Sequence, residues 1–438
     1  LYNPQQHKSP KKNIEKIKKK IFKKKKKKKK NDFFGNDDIK FWKYKLQLFT
    51  DPEKIDMDYF SIISQELADQ LFFSNKKENH WINNGLKTYW EIQYLEKFYK
   101  DYKLLGNLID YKILGIKPLK YSFFSKLNLS ERYGLAYQYI MAQNLDQKID
   151  ENLESLSNFN EIAISKFETG TLLNFISEKM GKDNFENFVR DYIAKNDNKL
   201  INKEDFLNEM AMKSGYSSSF METYIQRKMR VNFKIKSFDR IDDQLHINIS
   251  KNTTQNIPFK LKIEDSNGNE KTYWYDTNNK KGESTYIIPD NDVSKIIINS
   301  NYVFPESNFR DNYLYTKGLF SNAKKVKFKL FTDKPNPEYN EIFYAPKLNW
   351  NNYDKFLLGL KFHNKSIIES PFLYAITPYY STGTQKITGS ILSSYKIQPA
   401  ESFFRNITLS TSFAFFHYDY DLTYKRFGAS ATMALNKN

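Results

Sequence analysis

The sequence predicts an α+β multidomain chain: a helical domain, a small antiparallel β-sandwich and a partial C-terminal β-barrel. Apolar residues recur at helical spacing over residues 32–230, the period drops to two after Val231, and from Asn340 the alternating segments lengthen and become aromatic. At 438 residues the chain is also too long for one ordinary core.

The first segment, residues 1–31, is lysine-rich. Residues 1–30 hold 15 Lys and one acid, Glu15, a net of +14; of the total charge of +18, residues 31–438 therefore carry 18 − 14 = +4. The unbroken run from Lys23 to Lys30 repels itself and buries nothing, so this segment is expected to be disordered. No stacking or base-reading module follows it, and nucleic acid is not an expected partner. The chain begins at Leu1 and is expected to be a piece of a longer or processed product. With no cysteine, disulfides, thiolate metal sites and cysteine nucleophiles are excluded. No run of 18 or more apolar residues occurs, so no membrane-spanning helix is expected.

In residues 32–230, Phe60, Ile63, Leu67 and Leu71 share one helical face, and Leu86, Tyr89, Trp90, Tyr94 and Phe98 another. Further helices are predicted over 132–143, 163–180, 185–194 and 203–213, with Gly181 closing one and Asn202 capping the next. Residues 231–303 give the sandwich: "VNFKIKSF", "LHINIS", "FKLKIE", "KTYWYD", "STYIIP" and "KIIIN" alternate between turns such as Asn267-Gly268. The acidic "DSNGNE" at 265–270 looks like a calcium-loop fragment. It lacks the spacing and final Glu of an EF-hand, and a hairpin turn explains it. Residues 304–339 read as a linker.

Residues 340–438 read as the partial barrel, with strands over 341–351, 353–364, 371–382, 386–397, 403–418 and 422–435. Phe356, Leu358, Leu360 and Phe362 form the apolar set of one strand, and Phe427, Ala429, Ala431, Met433 and Leu435 that of another, while the facing sets are small and polar. Segments of about ten residues with this alternation and aromatic ends are the mark of outer-membrane β-strands. Six are fewer than the eight of the smallest such barrels, so closure needs more strands or another chain. A second soluble sandwich with one buried face is the alternative. The expected setting is the cell envelope, with outer-membrane lipid as a partner and the preceding domains periplasmic or surface-exposed.

Two motifs within the helical region carry a resemblance. Gln65-Glu66-Leu67-Ala68-Asp69, followed by Gln70 and Phe72, stands in the pattern H-E-x-x-H. Trp81-Ile82-Asn83-Asn84-Gly85-Leu86-Lys87-Thr88-Tyr89 stands in the pattern W-x-N-E-G-x-x-x-Y. A later "KFETG" carries Phe167 where a tyrosine is usual, and Gly170. Over residues 58–299 the chain resembles the gluzincin zinc aminopeptidases, the membrane alanyl aminopeptidase-like family, in the Bacteroidota form fused to a C-terminal outer-membrane barrel. The loop between the motifs is shorter than the family's, and its N-terminal β-domain is absent.

The resemblance implies a helical zinc-peptidase domain whose metal positions are 65, 69 and 84. They hold Gln65, Asp69 and Asn84, and neutral amides are poor donors to zinc; one carboxylate out of three is not a zinc site. Glu66 keeps the general-base position, but a base needs a water whose pKa the metal has lowered. Phe167 cannot donate the hydrogen bond to an oxyanion that a tyrosine gives. Lone His80 is expected to be a surface or packing residue. The expectation is therefore an inactive peptidase homologue without a cofactor, which binds a peptide or protein or acts as a scaffold at the outer membrane. The alternative is an active metallo-aminopeptidase that holds zinc at an atypical site of Glu66, Asp69 and Glu91. No G-x-S-x-G, phosphate-loop or dinucleotide motif anchors other chemistry.

Overall fold

Thr50 starts the helical region: its N–H donates to Glu53 Oε2 at 2.8 Å in a capping box, Pro52 sits in the first turn, and helix α1 runs over Asp51–Leu71. The computed structural model describes residues 39–41, 44–72, 77–196, 199–300, 304–318, 322–399, 402–419 and 422–436; the lysine-rich segment over 1–31 lies outside them. A short hairpin, β1 (Ile39–Phe41) and β2 (Tyr44–Leu46), precedes α1. Helices α2 (His80–Phe98) and α3 (Arg132–Ala142) follow. A π-helical segment, Glu161–Glu168, then runs directly into α4 (Thr169–Met180). Gly181, at φ +87°, ends α4. Helix α5 (Lys182–Lys195) comes next, and the Asn202 side chain caps α6 (Lys203–Ser214) by accepting from the N–H of Glu204 at 2.8 Å. The last helix is α7 (Ser218–Gln226).

Helices α2 and α4 touch backbone to backbone. A Cβ on Gly85 would lie 2.5 Å from Thr169 Cγ2, and one on Gly170 would lie 2.4 Å from Thr88 Cβ. Around this contact Trp81, Ile82, Leu86, Tyr89, Phe175 and Ile176 are fully buried. Helix α1 departs from the expected facing. Ile63, Leu67 and Leu71 of its apolar stripe are exposed, whereas Ser64, Glu66 and Ala68 are buried. A polar clamp sets the roll: Asn83 Nδ2 donates to the carbonyls of Ala68 (3.1 Å) and Phe72 (3.2 Å) and ties the C-terminal turn of α1 to α2.

Strands β3 (Phe233–Ile241), β4 (Gln244–Lys251) and β7 (Gly282–Pro289) form one antiparallel sheet. Strands β5 (Phe259–Asp265), β6 (Glu270–Tyr275), β8 (Val293–Ile298) and β9 (Tyr313–Tyr315) form the other, in the order β6-β5-β8-β9. Leu245, Ile247, Leu261 and Ile296 fill the core of this sandwich. At the 265–270 turn, Asp265 Oδ1 accepts from the N–H groups of Asn267 and Asn269, so its carboxylate is spent on the turn.

The stretch 304–339 is not a linker, contrary to expectation. Its Tyr313–Tyr315 completes the sandwich, and β10 (Val326–Leu330) joins the next sheet. Tyr313–Tyr315 is too short to show a period, whereas Val326–Leu330 alternates as V-K-F-K-L. The same stretch is tied into the sandwich, where Glu306 accepts from Phe233 N–H (2.8 Å), Asn299 (2.7 Å) and Asn312 (2.8 Å), and it meets the helical domain where Phe304 packs on Phe175 at 4.9 Å and the Pro305 carbonyl accepts from Tyr224 OH at 3.3 Å.

The last sheet has seven strands in sequence order, β10 to β16: β11 (Asn340–Asn351), β12 (Lys355–His363), β13 (Phe372–Ser381), β14 (Ile387–Ile397), β15 (Phe404–His417) and β16 (Thr423–Leu435) follow β10. All neighbours are antiparallel except β10 and β11, which are parallel. Among the described residues β10 and β16 stand at opposite ends of the order, so the sheet is open and no closed barrel forms. The register aligns Tyr344, Phe362, Ile376, Ile391, Phe413 and Phe427 in one row across six strands, and Leu348, Leu358, Tyr380 and Ile387 in another. This face is left uncovered: Leu348 is 67% exposed, Ile387 69% and Phe427 73%. The other face carries Gly359, Ser394, Ser410, Ser412, Gly428 and Ser430, with Lys361 and Arg426 beside a cavity of about 530 Å³.

Each end of the sheet is fastened differently. At one end the buried Asp354 carboxylate meets His417 Nδ1 at 2.7 Å, Asn351 Nδ2 at 3.0 Å and Thr384 Oγ1 at 3.2 Å, which knots three hairpin turns together. At the other end the sheet meets the helical domain: Gln398 Nε2 donates to Ala142 O at 2.8 Å, and Asp333 accepts from Ser122 Oγ (2.8 Å) and Phe123 N–H (2.6 Å).

Candidate functional site

Positions 65 and 69 lie one helical turn apart on α1, and Gln65 Nε2 donates to Asp69 Oδ1 at 3.1 Å. The same carboxylate oxygen accepts from Asn83 Nδ2 at 3.3 Å. Glu66 points from the buried side of α1 and is 5% exposed. On α2, Asn84 is buried and its Nδ2 donates to Ser165 Oγ at 2.9 Å. His80, one turn before Asn84, meets the same hydroxyl through Nδ1 at 2.7 Å, and its Nε2 lies 2.9 Å from the Glu151 carbonyl. Ser165 is therefore the hub that joins α2 to the π-helical segment. His80 is a packing residue rather than a surface one.

The π-helix widens the turn that carries Ser165, Phe167 and Glu168, and such bulges often lie at functional sites. Phe167 packs edge-on against Tyr133 of α3, ring centres 4.8 Å apart. The Tyr133 hydroxyl lies 3.4 Å from Glu91 Oε2 and accepts from Arg132 Nη2 at 3.1 Å. Glu91 in turn pairs with Lys87 at 3.1 Å. Burial pushes the Glu91 carboxyl up, but Lys87, the Ser61 hydroxyl and Arg132 outweigh it and hold the group below its ordinary range. The next acid, Glu168, goes the other way. It is fully buried, it accepts from Tyr224 OH at 2.7 Å, and burial raises it to about 8.

The structure thus distributes these residues over three hydrogen-bonded groups. Gln65, Asp69 and Asn83 are hydrogen-bonded to one another between α1 and α2, while Asn84 and His80 turn to Ser165; Glu91 belongs to a separate cluster with Lys87, Arg132 and Tyr133. Among the described residues no three His, Asp or Glu side chains converge as a metal-binding group. The donors at positions 65 and 84 are amide N–H groups already directed at oxygen, an arrangement that holds helices together. Ser165, Tyr133 and Arg132 lie outside the motifs, and Lys87 fills a variable position of the second. The doubled asparagine in "WINNG" and the "KFETG" that follows Ser165 mark the neighbourhood.

No family model matches the chain, and no curated protein matches it in sequence. Among solved structures, 59% of this chain is similar to 27% of aminopeptidase A of Legionella pneumophila, crystallised in complex with aspartic acid, at 13% identity and a TM-score of 0.41. The chain therefore spans little more than a quarter of that protein.

Proposed function

We propose that this chain is an envelope protein whose C-terminal sheet forms part of an outer-membrane wall, and whose helical domain, related to zinc aminopeptidases but lacking their metal, binds a peptide or acts as a scaffold. One observation carries the reading: six meandering strands present a largely apolar face to the exterior, interrupted by the Ser393–Thr411 pair, and a small, polar face to the other side. In water such a face is far larger than a monomeric protein leaves exposed; in lipid it is the expected outer surface of a barrel wall. The resemblance in "QELAD" and "WINNGLKTY" supports the peptidase descent, and the amide side chains of Gln65 and Asn84, which donate to Asp69 and Ser165, support the loss of the metal.

Flotation of the refolded chain with phosphatidylcholine vesicles tests the membrane half. The chain should float, and residues 340–435 should resist added protease. A monodisperse, lipid-free protein that stays at the bottom of the gradient would refute it. Metal analysis tests the other half. Near-stoichiometric zinc, or chelator-sensitive cleavage of aminoacyl reporters that Glu66→Gln abolishes, would establish the active atypical site in its place.

A further inference from the structure

Between α2 and α3 the chain makes a tight hairpin that stands clear of the rest of the molecule. Ile113 N–H donates to the Ile116 carbonyl at 2.8 Å and Ile116 N–H to the Ile113 carbonyl at 3.0 Å, so Leu114 and Gly115 alone make the turn. Both have positive φ, +49° and +81°, as a type I′ turn demands of its two central residues. Asn-Gly fills such a turn readily, whereas a leucine in the left-handed region is strained. No packing inside the protein offsets that strain, because Leu114 is 98% exposed. Ile113 and Ile116 beside it are exposed too, and a Cβ placed on Gly115 would meet no atom within 4 Å. Single apolar side chains are ordinary on a protein surface; three together on a strained, free-standing tip are not.

The flanks say what such a tip meets. In "YKILGIKPLKY" the apolar residues are followed on either side by Lys112 and Lys117 and then by the exposed Tyr111 and Tyr121; Lys117 pairs with Asp110 at 2.6 Å. Lysine stems lie along apolar surface while their ammonium groups stay in water, and tyrosine rings settle at headgroup level. The tip is also convex: a fluid bilayer yields to it, whereas a protein partner would have to carry a matching pocket. Just beyond it, Ser122 Oγ and Phe123 N–H are held by Asp333 at 2.8 and 2.6 Å. Asp333 follows three residues after Leu330, which pairs with Tyr344 at the start of the uncovered apolar row, and Phe331 between them is exposed. The hairpin is therefore tethered at the edge of the face assigned to lipid.

We propose that the hairpin over 111–121 is a membrane-interface anchor: Ile113, Leu114 and Ile116 enter the bilayer surface beside the sheet, and Lys112, Lys117 and Lys120 stay among the headgroups. This rests on the membrane reading of the sheet.

The chain contains no cysteine, so Leu114→Cys, Met212→Cys and Ile391→Cys can each carry one environment-sensitive fluorophore. Met212 is an exposed apolar residue of α6 and serves as the control. Pure phosphatidylcholine vesicles have no net charge to draw the lysine-rich segment. On them the label at 114 should shift to the blue and be quenched more by a quencher at headgroup depth than by one at the acyl-chain ends. The label at 391 should show the reverse order, and the label at 212 should stay water-like. Leu114→Asn supplies the residue the turn prefers, so the lipid-free chain should melt no lower than wild type, while partitioning at limiting lipid should fall about tenfold with the loss of one buried leucine. A water-like label at 114 beside a blue-shifted one at 391 overturns the anchor and leaves the membrane reading standing; water-like labels at both overturn the two together. A response at 114 without one at 391 keeps the hairpin as a lipid contact and overturns the sheet as a membrane wall. A label at 114 already blue-shifted before lipid is added means that protein covers the tip, and overturns the anchor. So does a response at 212 equal to that at 114, or unchanged partitioning of Leu114→Asn.

Discussion

The helical site and the C-terminal sheet handle unmet demand in opposite ways. In the helical domain every residue standing at a ligand position is turned inward: Gln65 to Asp69, Asp69 to Asn83, Asn84 to Ser165. In the sheet the backbone is satisfied strand to strand, yet the whole outward row from Tyr344 to Phe427 is left without a covering layer. A polar cluster that closes on itself stabilises a fold, whereas an apolar face that stays open points to a surrounding medium. Residues that look catalytic in the sequence thus hold the structure together, and residues that look like ordinary strand packing meet the outside.

The largest effects should come from breaking the open side. If the sheet lies in a membrane as proposed, Ile391→Lys or Phe413→Lys puts a charge on the row that would face lipid, at a cost of about 2–4 kcal/mol near the bilayer midplane. Flotation should fall at least thirtyfold, whereas Ser394→Lys or Ser410→Lys, on the opposite face, should float nearly as wild type. Next in size is the closed side. Gly170→Val drives a side chain into Thr88, whose Cβ already lies 2.4 Å from where the new Cβ must stand, and should cost about 1–3 kcal/mol in thermal denaturation. Asn84→Ala removes one donor from the Ser165 hub and should cost about 1 kcal/mol, with membrane association unchanged.

A pH titration sharpens the comparison from the closed side. Burial raises Glu168 from its ordinary 4.5 to about 8, so the folded state holds a proton that the unfolded state releases. Its contribution is complete below about pH 4.5 and is lost as pH rises toward and through 8. Wild-type melting temperature should therefore fall between acid and mildly alkaline pH, and Glu168→Gln should fall less. Glu306, also raised to about 8 by burial, should behave in the same way. The smallest effect expected is that of Glu66→Gln, which leaves any peptide-reporter background as it was.

The strands of the last sheet were legible because period-two alternation and register are one constraint: slipping a strand by one residue would turn its apolar set to the polar face. Helix caps such as Asn202 were equally plain, since the donors they satisfy are adjacent in sequence. The roll of α1 was not legible. Its apolar stripe argued for burial of Ile63 and Leu67, but the clamp that fixes it comes from Asn83, on another helix. The pairing of Asn84 with Ser165 spans 81 residues and leaves no pattern at either end. Tyr313–Tyr315 was hidden by its brevity within the supposed linker, whereas Val326–Leu330 shows its alternation as V-K-F-K-L and was legible.

Because the chain contains no cysteine, a single one placed at Ile391 or at Ser394 can carry a polarity-sensitive fluorophore without background. The two positions are three residues apart on β14 and face opposite ways. In phosphatidylcholine vesicles containing lipid-borne quencher, the label at 391 should be blue-shifted and strongly quenched, and the label at 394 should be neither. Equal quenching at both positions, or a water-like spectrum at 391, would contradict the assignment of the open face to lipid.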